Sequence, residues 1–246
     1  MKKTSFTLSS FDGVAFDIDG TLSNSIPAHH KARFEAFTKM GFGYITREQH
    51  ELGPTYGSTA PAVIGGILHA AGVINRSVPF DQNPIVQKLI AAKLERFEAV
   101  AAKGFEEQPG ASGFVKQIAG IFPGKTAFVT ASPERHVRPF MERYGLDEVI
   151  PNHLLIDEEV ITVEGLGYKP LPDPYQLAKK RMQVTRLLVF EDNLAGVESA
   201  KRAGATVIAM GFDKHNAVLF TKASYPPDAV VAGYQEAREL LGLDKV

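Results

Sequence analysis

Five short runs of β-branched and aromatic residues alternate along this chain with longer stretches of helical periodicity. The runs are Gly13–Phe16, Thr126–Val129, His153–Ile156, Leu187–Phe190 and Thr206–Met210. Several carry no polar alternation, the pattern of a strand covered on both faces. Strands interleaved with helices in this way predict an α/β fold with a Rossmann-like parallel sheet. Three runs end directly in polar residues: Asp17, Thr130 and Glu191-Asp192. Open parallel sheets bind ligands beyond the carboxyl ends of their strands, so these side chains are expected to converge on one crevice.

The stretch between the first and second runs breaks the alternation, with about 110 residues and no convincing strand. Three helical patterns occupy most of it. The first runs from Pro27 to Met40, with Ala32, Phe34, Ala36, Phe37 and Met40 expected inward and Gly41 as its stop. The second runs from Pro61 to Ala71 on Val63, Ile64, Ile67 and Leu68, closed by Gly72. The third opens at Asn83-Pro84 and carries Val86, Leu89, Ile90, Leu94, Phe97 and Val100 before Gly104. A parallel crossover does not need so much helix. Residues 24–106 are therefore expected to be an inserted all-helical domain, with 1–23 and 107–246 forming the core.

Composition narrows the class. Hydrophobic residues make up 44% and charged residues 22% of 246, enough to bury the core of one large domain with an insertion. With 27 Lys+Arg against 28 Asp+Glu there is no cationic excess, which argues against a nucleic-acid partner. The chain has no Cys, which excludes disulfides, iron–sulfur clusters and thiolate zinc, and suits a reducing compartment. Lys2 and Lys3 look like the start of a signal peptide, but Thr4, Ser5, Thr7, Ser9 and Ser10 interrupt any apolar core. No apolar run approaches the roughly 18 residues that span a bilayer. The expectation is a soluble cytoplasmic protein without a membrane partner; its oligomeric state is left open.

Asp17-Ile18-Asp19-Gly20-Thr21 ends the first run. Its four fixed residues would recur by chance in a chain of this length about once in a thousand sequences. At such a turn Asp17 has the chemistry of a nucleophile and metal ligand, and Asp19 that of a general acid/base. A strand followed by an ordinary Asp-Gly turn is the plainer alternative. Glu191-Asp192-Asn193 precedes a helix marked by Gly196, Ala200 and Ala203. Alone these acidic residues would be helix caps. Beside Asp17 and Asp19 they complete an all-oxygen site suited to a hard cation such as Mg²⁺. Without a cation such a cluster repels itself and raises some of its own pKa values.

Lys169, set between Gly167-Tyr168 and Pro170, can neutralise a phosphate and a nucleophile, or be a solvated loop lysine. Thr130 and Ser132 offer hydroxyls to a phosphate oxygen, or simply end a strand. The seven His form no zinc set, and neither a Gly-x-Gly-x-x-Gly nor a Walker A loop occurs.

These four elements, in this order, resemble the motifs of the haloacid-dehalogenase superfamily of phosphotransferases. Asp17-x-Asp19-Gly20-Thr21 looks like the first motif, Thr130 the second, Lys169 the third and Glu191-Asp192 the fourth. Ser25-x-Pro27-x-His29, Pro109-Gly110 and Lys169-Pro170-x-Pro172-Asp173 add a likeness to the subgroup with a small helical cap. That subgroup includes phosphoglycolate phosphatases, sugar-phosphate phosphatases and β-phosphoglucomutases.

The resemblance implies a Mg²⁺-dependent phosphatase acting on a small phosphorylated metabolite. By it, Asp17 attacks phosphorus and forms an aspartyl-phosphate, while Asp19 protonates the leaving oxygen and then activates water. Mg²⁺ would be held by Asp17, the Asp19 backbone carbonyl and Asp192, with help from Glu191. Thr130, Ser132, Lys169 and backbone N–H groups near Gly20 would hold the phosphate. Substrate choice would fall to cap residues, with His29 and Tyr56 as candidates. The loop Thr55–Thr59, uncharged and rich in hydroxyls, suits a neutral leaving group such as a sugar or polyol. The segment 53–60 lacks the Lys and Arg with which β-phosphoglucomutases grip a second phosphate, which counts against the alternative of a phosphomutase. Two departures stand out: Asn24 where the subgroup usually has Asp, and Asn193 where Ser is commoner.

Overall fold

The apolar runs pair edge to edge, since side chains of their kind can be covered from both faces. In this computed structural model, which describes residues 6–52, 59–212, 214–221 and 223–243, they form one six-stranded sheet. The strands are β1 (Gly13–Phe16), β2 (Thr126–Val129), β3 (Leu155–Ile156), β4 (Leu187–Glu191), β5 (Thr206–Met210) and β6 (Ala229–Val231). Their order is β3-β2-β1-β4-β5-β6, and every pairing is parallel. The register sets Phe16 beside Phe128 on one side and Phe190 on the other. Asp17, Thr130 and Glu191-Asp192 therefore leave the sheet at the same end.

Between β1 and β2 lie α1 (Ile26–Lys39), α2 (Arg47–Leu52), α3 (Ala60–Ala70), α4 (Pro84–Ala101) and α5 (Ala111–Ile121). The other helices are α6 (Glu134–Arg143), α7 (Glu158–Val163), α8 (Asp173–Met182), α9 (Leu194–Arg202), α10 (Lys214–Thr221) and α11 (Tyr234–Leu241). The sheet and the helices on its faces share one apolar cluster, in which Phe16 stacks on Phe190 at 4.9 Å and meets Phe114 edge-on at 6.0 Å.

Helices α1, α3 and α4, with Ile45 from the loop after α1, build a separate cluster from Ala36, Phe37, Ile45, Ile64, Ile67, Leu68, Val86 and Leu89. Proline near the start and a polar cap define two of these helices. The Thr59 hydroxyl accepts from the Ala62 N–H at the head of α3, and the Asn83 side-chain Oδ1 accepts from the Ile85 N–H at the head of α4. The two segments that join this helical body to the sheet run side by side. The Asn24 N–H bonds the Glu106 carbonyl at 2.8 Å and the Gln108 N–H bonds the Leu22 carbonyl at 2.7 Å. Asn24 is exposed there, and its contribution to pairing comes from the backbone.

Three features differ from the sequence reading. The run His153–Ile156 supplies only the two residues of β3, because 152–154 wind into a 3₁₀ turn before the edge of the sheet. The edge strand β6, which has no matching apolar run, is additional. On α1, Phe34 and Met40 are only half-buried, and Arg33 is buried in their place. Among the described residues no helix is long and apolar enough to cross a membrane.

Candidate active site

The end of β1 is where the chemistry gathers. Gly20 turns the chain at φ 89°, and a Cβ there would collide with the Asp192 carboxylate. Only glycine combines that backbone with that approach. The turn is pinned by its own N–H bonding the Ser23 carbonyl at 2.9 Å and by Gln108 Nε2 donating to the Gly20 carbonyl at 3.0 Å. From below, the Tyr234 hydroxyl donates to the Thr21 carbonyl at 2.7 Å, and the Thr21 hydroxyl donates to Asp192 at 3.2 Å.

Asp17, Glu191 and Asp192 bring carboxylate oxygens within 4.8 Å of one another, all buried. Lys169 lies among them at 3% exposure. Its ammonium donates to Asp17 Oδ1 at 2.7 Å, to Glu191 Oε1 at 2.6 Å and to the Val129 carbonyl at 2.9 Å. Glu191, wholly buried, also accepts from the Tyr175 hydroxyl at 2.7 Å. A side chain at position 196 would run into the Glu191 carboxylate, so α9 begins on Leu194-Ala195-Gly196. Asn193 caps that helix through the Gly196 N–H at 2.9 Å, and its amide donates to Glu191 and Asp192. The extra donor gives this position a role that a serine hydroxyl fills with fewer bonds.

Charge in this cluster is unbalanced. Three buried carboxylates face one lysine, and Asp17 Oδ2 has no hydrogen-bond partner. Burial raises the pKa of Asp17 well above the usual carboxylate range; Lys169 pulls it down and Glu191 and Asp192 push it up. Burial and then the Glu191 charge bring Asp192 up to about 7. Lys169 moves the other way: burial opposes its charge, but Asp17 and Glu191 more than compensate and raise its pKa. An orphaned carboxylate oxygen and two carboxylates of raised proton affinity, all hard oxygen donors, fit a divalent cation bound by Asp17, Asp192 and Glu191.

The Asp19 side chain is not part of that group. It faces the opposite way, accepting from the Ser25 hydroxyl at 2.7 Å and the Thr130 hydroxyl at 3.2 Å, with His29 Nε2 at 3.6 Å. Burial works against its charge, but hydrogen bonds from His29, Ser132 and Ser25 prevail and hold Asp19 below the usual carboxylate range. Thr130 in turn accepts from the Ser132 N–H at 3.0 Å. His29 stacks on Phe97 at 4.1 Å, and its Nδ1 lies 3.1 Å from the Lys93 ammonium. Burial lowers the pKa of His29, so the ring is neutral, accepts from Lys93 at Nδ1 and turns Nε2–H toward Asp19.

Asp17, Asp19, Gly20, Thr130, Ser132, Lys169, Glu191, Asp192 and His29 thus share one locality. Tyr56, with most of the loop Thr55–Thr59, lies outside the described residues. Above the carboxylates opens a cavity of about 910 Å³ between the sheet end and α1, α3 and α4. Sequence reasoning missed its cationic wall, formed by Arg33, Arg47 and Lys93. One signal was available: Arg33 follows His29 by one helical turn, on the same face of α1. Tyr175 and Tyr234 were also missed; they act through long-range contacts that no local pattern announces.

Comparison with known proteins agrees with the geometry. The protein CbbY of Cereibacter sphaeroides is 27% identical over 249 residues, spanning 95% of this chain and 96% of its own. A phosphorylated carbohydrates phosphatase of Thermotoga maritima is 27% identical over 208 residues, 78% of this chain and 82% of its own. A crystal structure of a HAD hydrolase, family IA, variant 3, from Entamoeba histolytica superposes with a TM-score of 0.72 at 21% identity. It covers 96% of this chain and 100% of that one. Residues 11–204 match the haloacid dehalogenase-like hydrolase family, a span from the strand bearing Asp17 to the end of the helix after Asp192. The chain belongs to the haloacid dehalogenase-like hydrolases.

Proposed function

We propose that this protein is a Mg²⁺-dependent phosphomonoesterase that acts on a small phosphorylated metabolite, a sugar phosphate or similar, through an aspartyl-phosphate. The observation that carries the reading is the opposed placement of the two aspartates on one turn. Asp17 sits among carboxylates with a free, buried Oδ2, whereas Asp19 faces the cavity through a hydroxyl and imidazole shell. One is placed to attack and the other to handle a proton. The phosphatase relative in Thermotoga maritima adds support for the reaction class and for a carbohydrate phosphate.

Asp17 Oδ2 attacks phosphorus and the leaving oxygen departs on the side of Asp19. Lys169 holds the nucleophile at Oδ1 and compensates charge as the phosphoryl group approaches. Thr130, Ser132 and the backbone around Gly20 receive the phosphoryl oxygens. A dianion arriving beside Asp19 raises that carboxyl's proton affinity, so it can deliver a proton to the leaving oxygen and then withdraw one from water. His29 orients Asp19 through Nε2, with its tautomer fixed by Lys93 at Nδ1. Asp17, Asp192 and Glu191 would hold the cation, with the Asp19 carbonyl as a further ligand. Bound there, Mg²⁺ supplies neutralisation of the phosphoryl charge. Residues 24–106 serve as a cap domain that closes over the crevice and excludes water.

A phosphomutase remains the second reading, favoured by the cationic cavity wall, which could grip a second phosphate. Phosphate release from an aryl phosphate and a panel of sugar phosphates tests the choice. Free phosphate in proportion to substrate consumed supports hydrolysis. Rearranged phosphoester without free phosphate, seen by phosphorus NMR, would replace it with the mutase.

A further inference from the structure

Arg33 has no role in the chemistry just described, yet it is buried as deeply as the residues that do. It is 5% exposed and lines the cavity, and its Nε and Nη2 have no hydrogen-bond partner among the described residues. A guanidinium stays charged under all ordinary conditions and is planar, with donors arranged to match a carboxylate or a phosphate. Burial brings its pKa down to about 10, which still leaves it cationic at neutral pH, and among the described residues no acidic group offsets that burial. Its charge instead lowers the pKa of His29, His50 and Lys93, all within electrostatic reach. From residues 26 to 97, no described side chain that lines the cavity is acidic, while Arg47 and Lys93 add positive charge. A buried cation without a counter-charge opposes folding, and an anion entering the cavity relieves it.

We propose that Arg33, with Lys93 within reach, forms a second anion subsite. The substrate would then carry a carboxylate or a second phosphate at the end remote from the scissile phosphoester. This deepens the phosphatase reading, on which it rests for the reacting end. It also replaces the neutral leaving group that the uncharged loop Thr55–Thr59 suggests. The cavity then has two ends of opposite demand: carboxylates that need a cation and the phosphoryl group, and a guanidinium that needs an anion.

Matched substrate pairs test this directly. One pair is 2-phosphoglycolate against 2-hydroxyethyl phosphate; the other is fructose 1,6-bisphosphate against fructose 6-phosphate. The wild-type protein should favour the more anionic member of at least one pair by about tenfold or more in kcat/KM. The pair that responds identifies carboxylate or phosphate. Arg33→Met should bring that ratio to within about threefold of unity while p-nitrophenyl phosphate turnover stays within about threefold of wild type. Should the Met variant fail to fold, Arg33→Gln, which also removes the charge, gives the same readout. No preference in either pair for the wild type would overturn the subsite. So would an equal loss on every substrate, p-nitrophenyl phosphate included.

If no phosphoester at all is hydrolysed, the phosphatase reading fails by itself and the subsite is read from thermal stability. Fructose 1,6-bisphosphate or 2-phosphoglycolate should then raise the Tm of the wild type more than its partner does, with the difference lost in Arg33→Met. Identical shifts in wild type and variant would overturn it.

Discussion

The two walls of the cavity are built on opposite principles. At the sheet end the carboxylates are densely bonded: Lys169, Tyr175, Thr21 and Asn193 each donate to a carboxylate of the cluster. The residue left over there is negative, Asp17 Oδ2. On the helical wall the residue left over among the described residues is positive, Arg33, whose Nε and Nη2 have no hydrogen-bond partner. A densely bonded network with one unpartnered oxygen demands a particular atom at a particular place, as chemistry does. A buried guanidinium demands only a charge, as recognition does. On the proposed function, the reaction falls to the end of the sheet and the choice of substrate to the helical wall.

Asp17→Asn is the harshest way to break the comparison. It should cost on the order of 10⁴-fold or more in kcat on every substrate, since nothing else at the strand end can attack. Melting temperature separates this from unfolding: the variant should stay folded, because the Asn side chain keeps the shape and relieves the repulsion from Glu191 and Asp192.

Chelation should come next. Aryl phosphate hydrolysis in EDTA should fall by about 10³-fold, several kcal/mol of lost charge stabilisation, and recover with added Mg²⁺. Full activity in chelator would show that Lys169 alone balances the carboxylates.

His29→Ala probes the junction between the walls. Removing the ring leaves Asp19 with Ser25 and Thr130 but without its imidazole. Alkyl phosphates, whose leaving group needs a proton, should slow by about tenfold, a barrier of about 1.4 kcal/mol; aryl phosphates should slow less. Equal slowing of both classes would place His29 in phosphate binding instead.

The smallest effect belongs to the helices behind that wall. His50, buried and stacked on Phe34 at 4.1 Å, is held by burial and by the Arg33 charge down to about 4. Its folded pKa lies below its unfolded value of about 6.5, so the unfolded chain binds more protons in between. Stability should therefore fall as pH drops from about 6.5 to about 4. His50→Phe should flatten that fall, with a difference in Tm of roughly 2–4 °C for each kcal/mol involved. Parallel pH profiles for the two proteins would contradict this assignment.

Sequence reasoning reached the sheet end far more completely than the helical wall, for a physical reason. Asp17, Thr130 and Glu191 stand directly after apolar runs, and parallel pairing brings such positions together whatever the details of side-chain packing. Even there the reach was limited to strand ends: Tyr175, Tyr234 and Gln108 come from other elements and are invisible to local pattern. The strands β3 and β6 were harder because edge strands of two or three residues carry little apolar signal. On α1 the periodicity favoured Phe34 and Met40 for the buried face, because hydrophobicity ranks a phenyl ring above a guanidinium. The helix buries Arg33 instead, and a pattern that equates inward with apolar cannot find a cation placed inward. Asn193 was uninterpretable alone and becomes clear once its amide is seen between Glu191 and Asp192.

If the two aspartates of one turn divide the reaction between them, a trapped intermediate will reveal it. In Asp19→Asn the nucleophile is intact but water is no longer activated. An activated aryl phosphate, whose leaving group needs little protonation, should still transfer its phosphoryl group to Asp17. Acid quenching followed by peptide mass spectrometry should find a phosphoryl group on the peptide carrying Asp17, alongside a burst of aryl alcohol and slow release of phosphate. Aryl alcohol and phosphate released together with no modified peptide, or a phosphoryl group on any other residue, would contradict the division of roles.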